Sequence, residues 1–328
     1  MSKFDYAGYF GAITPLADAL REHPTRFWEP TPERLAQPHE YVLYLGCNVL
    51  RTVHLAEAIV AVLEALGVDF IALGGPANCC GIVHHRNGDE ATARRLTANS
   101  LAKLSAPRPK EVLVYCPSCH SHLDETLPGD LAFDVPYRHV TEFIAERLGQ
   151  LRFRRPVQRR IALHAHEGFR QQVVDSRHTR TILQAIPGLD VVDLPAHEAW
   201  GRACIPQTIA ELGAGRFDAM VASMFDAARE QGCDGIAAVY HSCYRELLAY
   251  ESRHGLELLN YVELLADALG LGPFEPRYKA LKQEQDPAAA YERLASRAAL
   301  RGANLPRLRA SLQAHFAPAG PPQDDPPA

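Results

Sequence analysis

The chain repeats one pattern of apolar runs twice, and that repetition restricts the folds open to it. From residue 41, "YVLYL" reads as a buried strand and "TVHLAEAIVAVLEALG" as an amphipathic helix stopped by glycine. "VDFIAL", "DEATARRLTANSLAKLS" and "EVLVY" follow as strand, helix and strand. After "RFRRPVQRR" the order returns as "IALHAH", "QQVVDSRHTRTILQAIPG", "LDVVDL", a helical stretch and "GIAAVY". Strands alternating with helices in this way call for crossover connections and a largely parallel sheet. "VLVYCPSCHSHL" lies over "IAAVYHSCYREL" and "LGVDFIALGGPANCCG" over "IPGLDVVDLPAHEAWG", so the sequence reads as two homologous α/β halves. The predicted organisation is an N-terminal arm (1–40), a first half (41–150), a second half (151–270) and C-terminal helices with a disordered tail (271–328).

Composition excludes several classes of function. A net charge of −5 gives no reason to expect nucleic acid as a partner. No apolar run is long enough for a membrane span, and the start "MSKFDYAGYF" lacks the apolar core of a signal peptide. A cytoplasmic location is expected. In that compartment 8 cysteines in 328 residues suggest ligands or redox groups rather than disulfides.

Five of them, Cys47, Cys79, Cys80, Cys116 and Cys119, fall where strands of the first half should end. The carboxyl ends of parallel strands share one edge of the sheet, where ligands bind, so these thiols should converge. Buried cysteines are often only small hydrophobes, but that does not explain five at strand ends. Zinc takes four ligands, commonly from two CxxC-like knuckles, and here there is one. A cubane iron–sulfur cluster also needs four cysteines and leaves the fifth without a role. Five thiolates suit a larger iron–sulfur assembly, with Gly81 allowing close approach of the backbone.

The motif Cys47, Cys79–Cys80–Gly81 and Cys116–Pro117–Ser118–Cys119 resembles the CCG domain. That domain defines the B-type subunit of heterodisulfide reductase and its relatives in succinate dehydrogenase-like, glycolate oxidase and lactate-utilisation complexes. The resemblance covers both halves, roughly residues 41 to 250, and implies two Rossmann-like CCG halves. It also implies a noncubane [4Fe-4S] cluster held by Cys47, Cys79, Cys80, Cys116 and Cys119.

The second half departs from the family's pattern. The first cysteine position falls in "LHAHEGFR", CCG has become Ala199–Trp200–Gly201, and CxxC has become His241–Ser242–Cys243. Histidines stand in or beside all three segments. His166, His197, His241 and Cys243 are expected to form a nitrogen-rich four-ligand site for zinc or mononuclear iron, with His164 as a further contact. The competing reading is a half that has lost its metal. Cys204 lies near the degenerate motif, and Cys233 is expected to pack before a strand. Around the first motif, His84 or His85 is the expected proton donor to a leaving thiolate, ahead of His120 and His122.

The chain has no ferredoxin-type cysteine run, no GxGxxG after a strand and no P-loop, so electrons must come from partners. The resemblance therefore implies an oxidoreductase subunit working with flavin- or ferredoxin-type iron–sulfur subunits. Its cluster would act on the sulfur of a small thiol or disulfide, a persulfide or a carrier-bound sulfur. Two other readings stand beside this one. One is an electron-transfer subunit of a lactate- or glycolate-type oxidising complex, and the other is a metal-stabilised scaffold.

Overall fold

The computed structural model describes residues 4–168, 170–194, 204, 206–284 and 286–316. The first sheet contains β1 (Tyr41–Gly46), β2 (Phe70–Gly74), β3 (Glu111–Val114) and β4 (Tyr137–His139), in the order β2-β1-β3-β4. The second contains β5 (Arg159–His164), β6 (Leu189–Val192), β7 (Gly235–Ala238) and β8 (Glu257–Asn260), in the order β6-β5-β7-β8. Every pairing in both sheets is parallel. The two halves are therefore one topology used twice, as the repeated sequence pattern requires.

Strand composition explains the layering. Val42, Leu43, Tyr44 and Leu45 are all buried, so both faces of β1 are covered, as a parallel sheet flanked by helices demands. Fully burying one such leucine contributes roughly 2 kcal/mol. Helices Val53–Ala65 and Glu90–Ser105 make the crossovers from β1 to β2 and from β2 to β3. In the second half helix Arg170–Gln184 joins β5 to β6, and helix Ala214–Glu230 precedes β7.

The halves share one core. Helix Val53–Ala65 packs on helix Tyr261–Ala268 of the second half, and helix Val140–Ala145 packs on helix Arg170–Gln184. The N-terminal segment is tied into this body. Seven of the eight residues of helix Ile13–Leu20 are buried, and Trp28 is fully buried. The C-terminal helix Pro287–Leu300 lies against Ile13–Leu20, with Arg297 Nη2 donating to Glu22 Oε2 at 2.8 Å. The expected tail after residue 316 lies outside the described residues. Among the described residues no helix is long and apolar enough to cross a membrane.

In each sheet the order reverses between the first and third strands, β1 and β3, then β5 and β7. Connections leave in opposite directions at such a switch point and open a crevice beyond the strand ends. Cys47 follows β1 and Cys116 follows β3 at the first crevice, while His164 closes β5 at the second.

Candidate metal centres

The structure gathers all five first-half cysteines at the first switch point, each buried to between 2% and 6% exposure. Each thiol comes from a sharp change in backbone direction. Gly46 ends β1 in the left-handed region with φ +73°, where the β1–β2 register slips, and delivers Cys47. Cys79 and Cys80 follow a short turn opened by Gly75, and Cys116 stands just before helix Pro117–Glu125 with Cys119 in its first turn. The Cys47 thiol donates to Cys79 Sγ at 3.9 Å, and the Gly81 N–H donates to the same sulfur at 3.5 Å.

Crowding sorts these thiols into donors and acceptors. The hydrogen bonds from Cys47 and Cys80, helped by the Gly81 N–H and the nearby His84, pull the Cys79 thiol down to about 3. Cys116 is held well below the ordinary thiol range by the hydrogen bond from Cys119 and by His241, against its burial. Hydrogen bonding to Cys79 raises Cys47, and hydrogen bonding to Cys116 raises Cys119. Two thiolates are thus favoured in a buried site, and buried anions require a cation or a metal to answer them. This donor set fits an iron–sulfur cluster.

Two glycines shape the site differently. A Cβ on Gly46 would meet Cys119 Sγ at 2.9 Å and Cys116 Cβ at 3.0 Å. At Gly81, expected from the sequence to approach the cluster, a Cβ would meet Ala93 O at 2.5 Å and Thr97 Oγ1 at 2.9 Å. Gly81 is therefore the seat of helix Glu90–Ser105 as well as an N–H donor to sulfur. Gly46, which the sequence reading passed over, is the glycine against the sulfurs. Its signal was its place directly before Cys47 at a strand end.

A cavity of about 340 Å³ opens over the cysteines. Cys47, Cys80, Cys116 and Cys119 line it from the first half, and His241, Ser242 and Arg245 from the second. None of His84, His85, His120 and His122 lines it. His84 Nδ1 pairs with Asp89 at 3.0 Å and its ring stacks on Tyr6 at 4.0 Å. His85 Nδ1 pairs with Glu90 at 3.0 Å. His120 lies 3.6 Å from Asp124 and lines a different, smaller cavity. Burial lowers His122 to about 4, and its Nε2 meets Thr97 Oγ1 at 2.9 Å.

At the second switch point His164, His166 and Cys243 place one donor atom each within 4.8 Å of one another. His166 Nε2 lies 3.2 Å from Cys243 Sγ. Cys204 joins them, with its Sγ 3.4 Å from His164 Nε2. Burial opposes ionisation of Cys243, yet hydrogen bonds from Cys204 and the two histidines carry it well below the ordinary range. Burial also lowers His164, which favours the neutral imidazole that binds metals. Two imidazoles and two thiols form a donor set suited to zinc.

The structure does not bring His241 to this group. The central strands Glu111–Val114 and Gly235–Ala238 have equal length, and counting on from them sets Tyr240 at the place of Cys116, His241 at Pro117 and Cys243 at Cys119. Tyr240 stacks on His166 at 5.0 Å, while His241 turns to the first-half cavity. His197 lies outside the described residues, as does the Ala199–Trp200–Gly201 segment. Cys233 is buried just before β7 and belongs to neither group.

Comparison with known proteins agrees with this geometry. Residues 41–124 match the cysteine-rich CCG domain. The chain is 27% identical over 261 residues to the D-type subunit of dihydromethanophenazine:CoB–CoM heterodisulfide reductase from Methanosarcina barkeri, covering 74% of this chain and 62% of that protein. It is 28% identical over 176 residues to EtfAB:quinone oxidoreductase of Syntrophomonas wolfei, covering 50% of this chain and 24% of that one. The chain thus spans less than two thirds of the length of these relatives. A hypothetical protein from Helicobacter pylori overlays with a TM-score of 0.49 at 13% identity, covering 85% of this chain and 57% of the other.

Paired parallel sheets with five thiols gathered at one switch point define the class of site, one whose donor set fits an iron–sulfur cluster. Residues 41–124 carry a complete CCG motif and the second half a degenerate one, and the chain is similar to D-type subunits of heterodisulfide reductase.

Proposed function

We propose that this chain is the sulfur-handling subunit of a cytoplasmic redox complex. A noncubane [4Fe-4S] cluster would be held by Cys47, Cys79, Cys80, Cys116 and Cys119, with Gly81 and Gly46 as its close backbone neighbours. When bound, the cluster supplies one-electron steps and an iron that stabilises a forming thiolate. The overall reaction takes one disulfide, two electrons and two protons to two thiols, or runs in reverse. Flavin- or ferredoxin-type partner subunits supply or remove the electrons.

The observation that carries this reading is the cavity over the cysteines. Four of the five cysteines line a cavity whose inner part the cluster would fill. Its wall continues past Ser118 and Ser242 to Arg86 and Arg245, where a small substrate would reach the cluster; an electron relay needs no such opening. The residues of the chain have separable tasks. The hydrogen bonds to Cys79 and Cys116 prepare thiolates for the metal, and Gly46 keeps carbon away from the sulfurs. Ser118, Ser242 and His241 supply the polar wall that would orient a substrate.

The second half would hold zinc through His164, His166, Cys204 and Cys243, with a structural role. The four donors would fill the tetrahedral set of a closed site and are buried to between 0% and 2% exposure.

The deciding experiment is anaerobic purification followed by iron, zinc and acid-labile sulfide analysis, with spectra before and after adding thiols. Iron with sulfide, lost in Cys79→Ala, together with a thiol-dependent paramagnetic signal supports the reading. Iron and sulfide with no response to any thiol favour the electron relay. Zinc without sulfide leaves the scaffold reading.

A further inference from the structure

Helix His241–His254 belongs to the second half, yet its first residue forms part of the wall of the first-half cavity. The helix is anchored just behind that residue. Cys243 Sγ, in the same turn, lies 3.2 Å from His166 Nε2 in the second-half group. Tyr244 is fully buried, and its ring meets that of His54, on helix Val53–Ala65 of the first half, at 5.6 Å. His241 itself is 3% exposed. Its ring lies nearly parallel to that of Tyr115, the residue before Cys116, with centroids 6.2 Å apart and planes 16° apart. Both of its ring nitrogens are buried, and neither has a hydrogen-bond partner among the described residues. Buried polar groups are nearly always paired, so an imidazole with both nitrogens unanswered calls for a partner.

The cavity places an acceptor beside it. Cys116 lines the same cavity, and its thiol is drawn well below the ordinary range by the hydrogen bond from Cys119 and, against burial, by His241. A thiol that has given up its proton to a metal keeps lone pairs for an N–H donor, and hydrogen bonds to ligand sulfurs help set an iron–sulfur potential. Cys79 takes such a bond within its own half, from the Gly81 N–H at 3.5 Å. At Cys116 the side-chain donor comes from the other half. We propose that His241 donates an N–H to the Cys116 sulfur of the loaded site and holds the potential of the cluster up, so that the degenerate half tunes the redox centre of the complete one. The proposal rests on the cluster reading above. Its sign follows from charge. Reduction adds negative charge to iron and sulfur, and an N–H aimed at the sulfur favours the more negative state. A neutral imidazole has an N–H to give, so the effect needs no change of protonation. His241 acts through Cys116 and is a positioning residue.

The test is a redox titration of the full chain, purified anaerobically and followed by electron paramagnetic resonance. It compares wild type with His241→Phe, His241→Asn and His241→Gln, with iron and sulfide assayed in each sample. Phenylalanine keeps a ring against Tyr115 and removes both nitrogens. The amides return an N–H at the depth of Nδ1 in asparagine and of Nε2 in glutamine. Loss of one hydrogen bond to a charged sulfur corresponds to about a tenfold change in the ratio of reduced to oxidised cluster at fixed potential, which is about 59 mV for one electron. His241→Phe should load iron and sulfide as wild type does and titrate lower by about that amount. One of the two amide variants should recover most of the shift. An unchanged midpoint in loaded His241→Phe overturns the proposal. A midpoint that stays equally low in both amide variants also overturns it, because the shape of the ring and not its N–H would then set the potential. A second measurement needs no variant. In wild type carrying nitrogen-15 histidine, electron spin-echo modulation should show a histidine nitrogen coupled to the reduced, paramagnetic cluster, and its absence overturns the proposal. A chain that holds neither iron nor sulfide sinks the cluster reading and this proposal together, whereas a loaded chain without that coupling sinks this proposal alone.

Discussion

A methyl group on Gly46 would stand 2.9 Å from the Sγ of Cys119, closer than any carbon can sit without moving the sulfur. The backbone there has φ +73°, so alanine would also bear the left-handed cost of about 1–2 kcal/mol. Gly46→Ala is expected to lower iron and sulfide per chain by at least about half while far-UV dichroism is kept. Gly81→Ala should act differently, through collision with Ala93 O at 2.5 Å, and show first as a lower thermal midpoint. Full iron loading in Gly46→Ala would show that the sulfurs need not stand where this geometry puts them.

The five cysteines should behave as one set. Alanine at any of Cys47, Cys79, Cys80, Cys116 or Cys119 is expected to reduce iron and sulfide together. Cys233→Ala should leave both unchanged, since Cys233 lines no part of the cavity. Elemental analysis of the six variants checks this. Normal loading in two or more of the five single variants would contradict a shared site.

The parallel sheets and the convergence of the thiols were legible in sequence because they follow from strand period and helical crossovers. Both are set by local pattern and by a general rule about strand ends. The second site was legible only in part. His164, His166 and Cys243 stand on β5, just after it, and in the first turn of helix His241–His254, so the repeat located them. His241 turned elsewhere because the helix begins with it, in the place of Pro117, and one residue along a helix rotates a side chain by about 100°. Cys204 could not be placed by strand counting, since it follows β6 at a distance that no periodicity fixes. Arg245 was hidden for another reason. A charged residue two positions after a cysteine reads as a solvated helix face until the other half of the molecule is seen to cover it.

Zinc content should separate these assignments. Roughly one zinc per chain is expected, lost in His166→Ala and Cys243→Ala and reduced in Cys204→Ser. His241→Ala should retain it, because that ring faces the other cavity. Loss of a structural zinc worth about 2–3 kcal/mol would lower the thermal midpoint by roughly 3–5 °C in a chain of this size. Zinc lost in His241→Ala but kept in Cys204→Ser would exchange the two roles.

The buried Asp175 gives a pH dependence with a definite sign. Its carboxyl is 1% exposed, accepts from the Tyr240 hydroxyl at 2.8 Å, and lies 3.5 Å from His139 Nδ1. Burial raises it from 3.8 to about 6, over the hydrogen bonds from Tyr240 and Gln171 that lower it. The folded state therefore holds this proton more tightly than the unfolded chain. Its contribution is fully present below about pH 4 and is lost as pH rises through about 6. A displacement of about two units corresponds to about 3 kcal/mol. His139, lowered to about 4 by burial, has the opposite slope, since the folded state resists its protonation as pH falls. The two slopes offset each other in wild type, so the variant must be compared with wild type at each pH. Asp175→Asn keeps an oxygen for Tyr240 but cannot ionise. Its unfolding free energy relative to wild type should rise by about 3 kcal/mol between pH 4 and pH 7, with most of the change between pH 4 and 6. Urea denaturation at half-unit pH intervals measures this difference, and a flat one would mean that Asp175 titrates as it does in water.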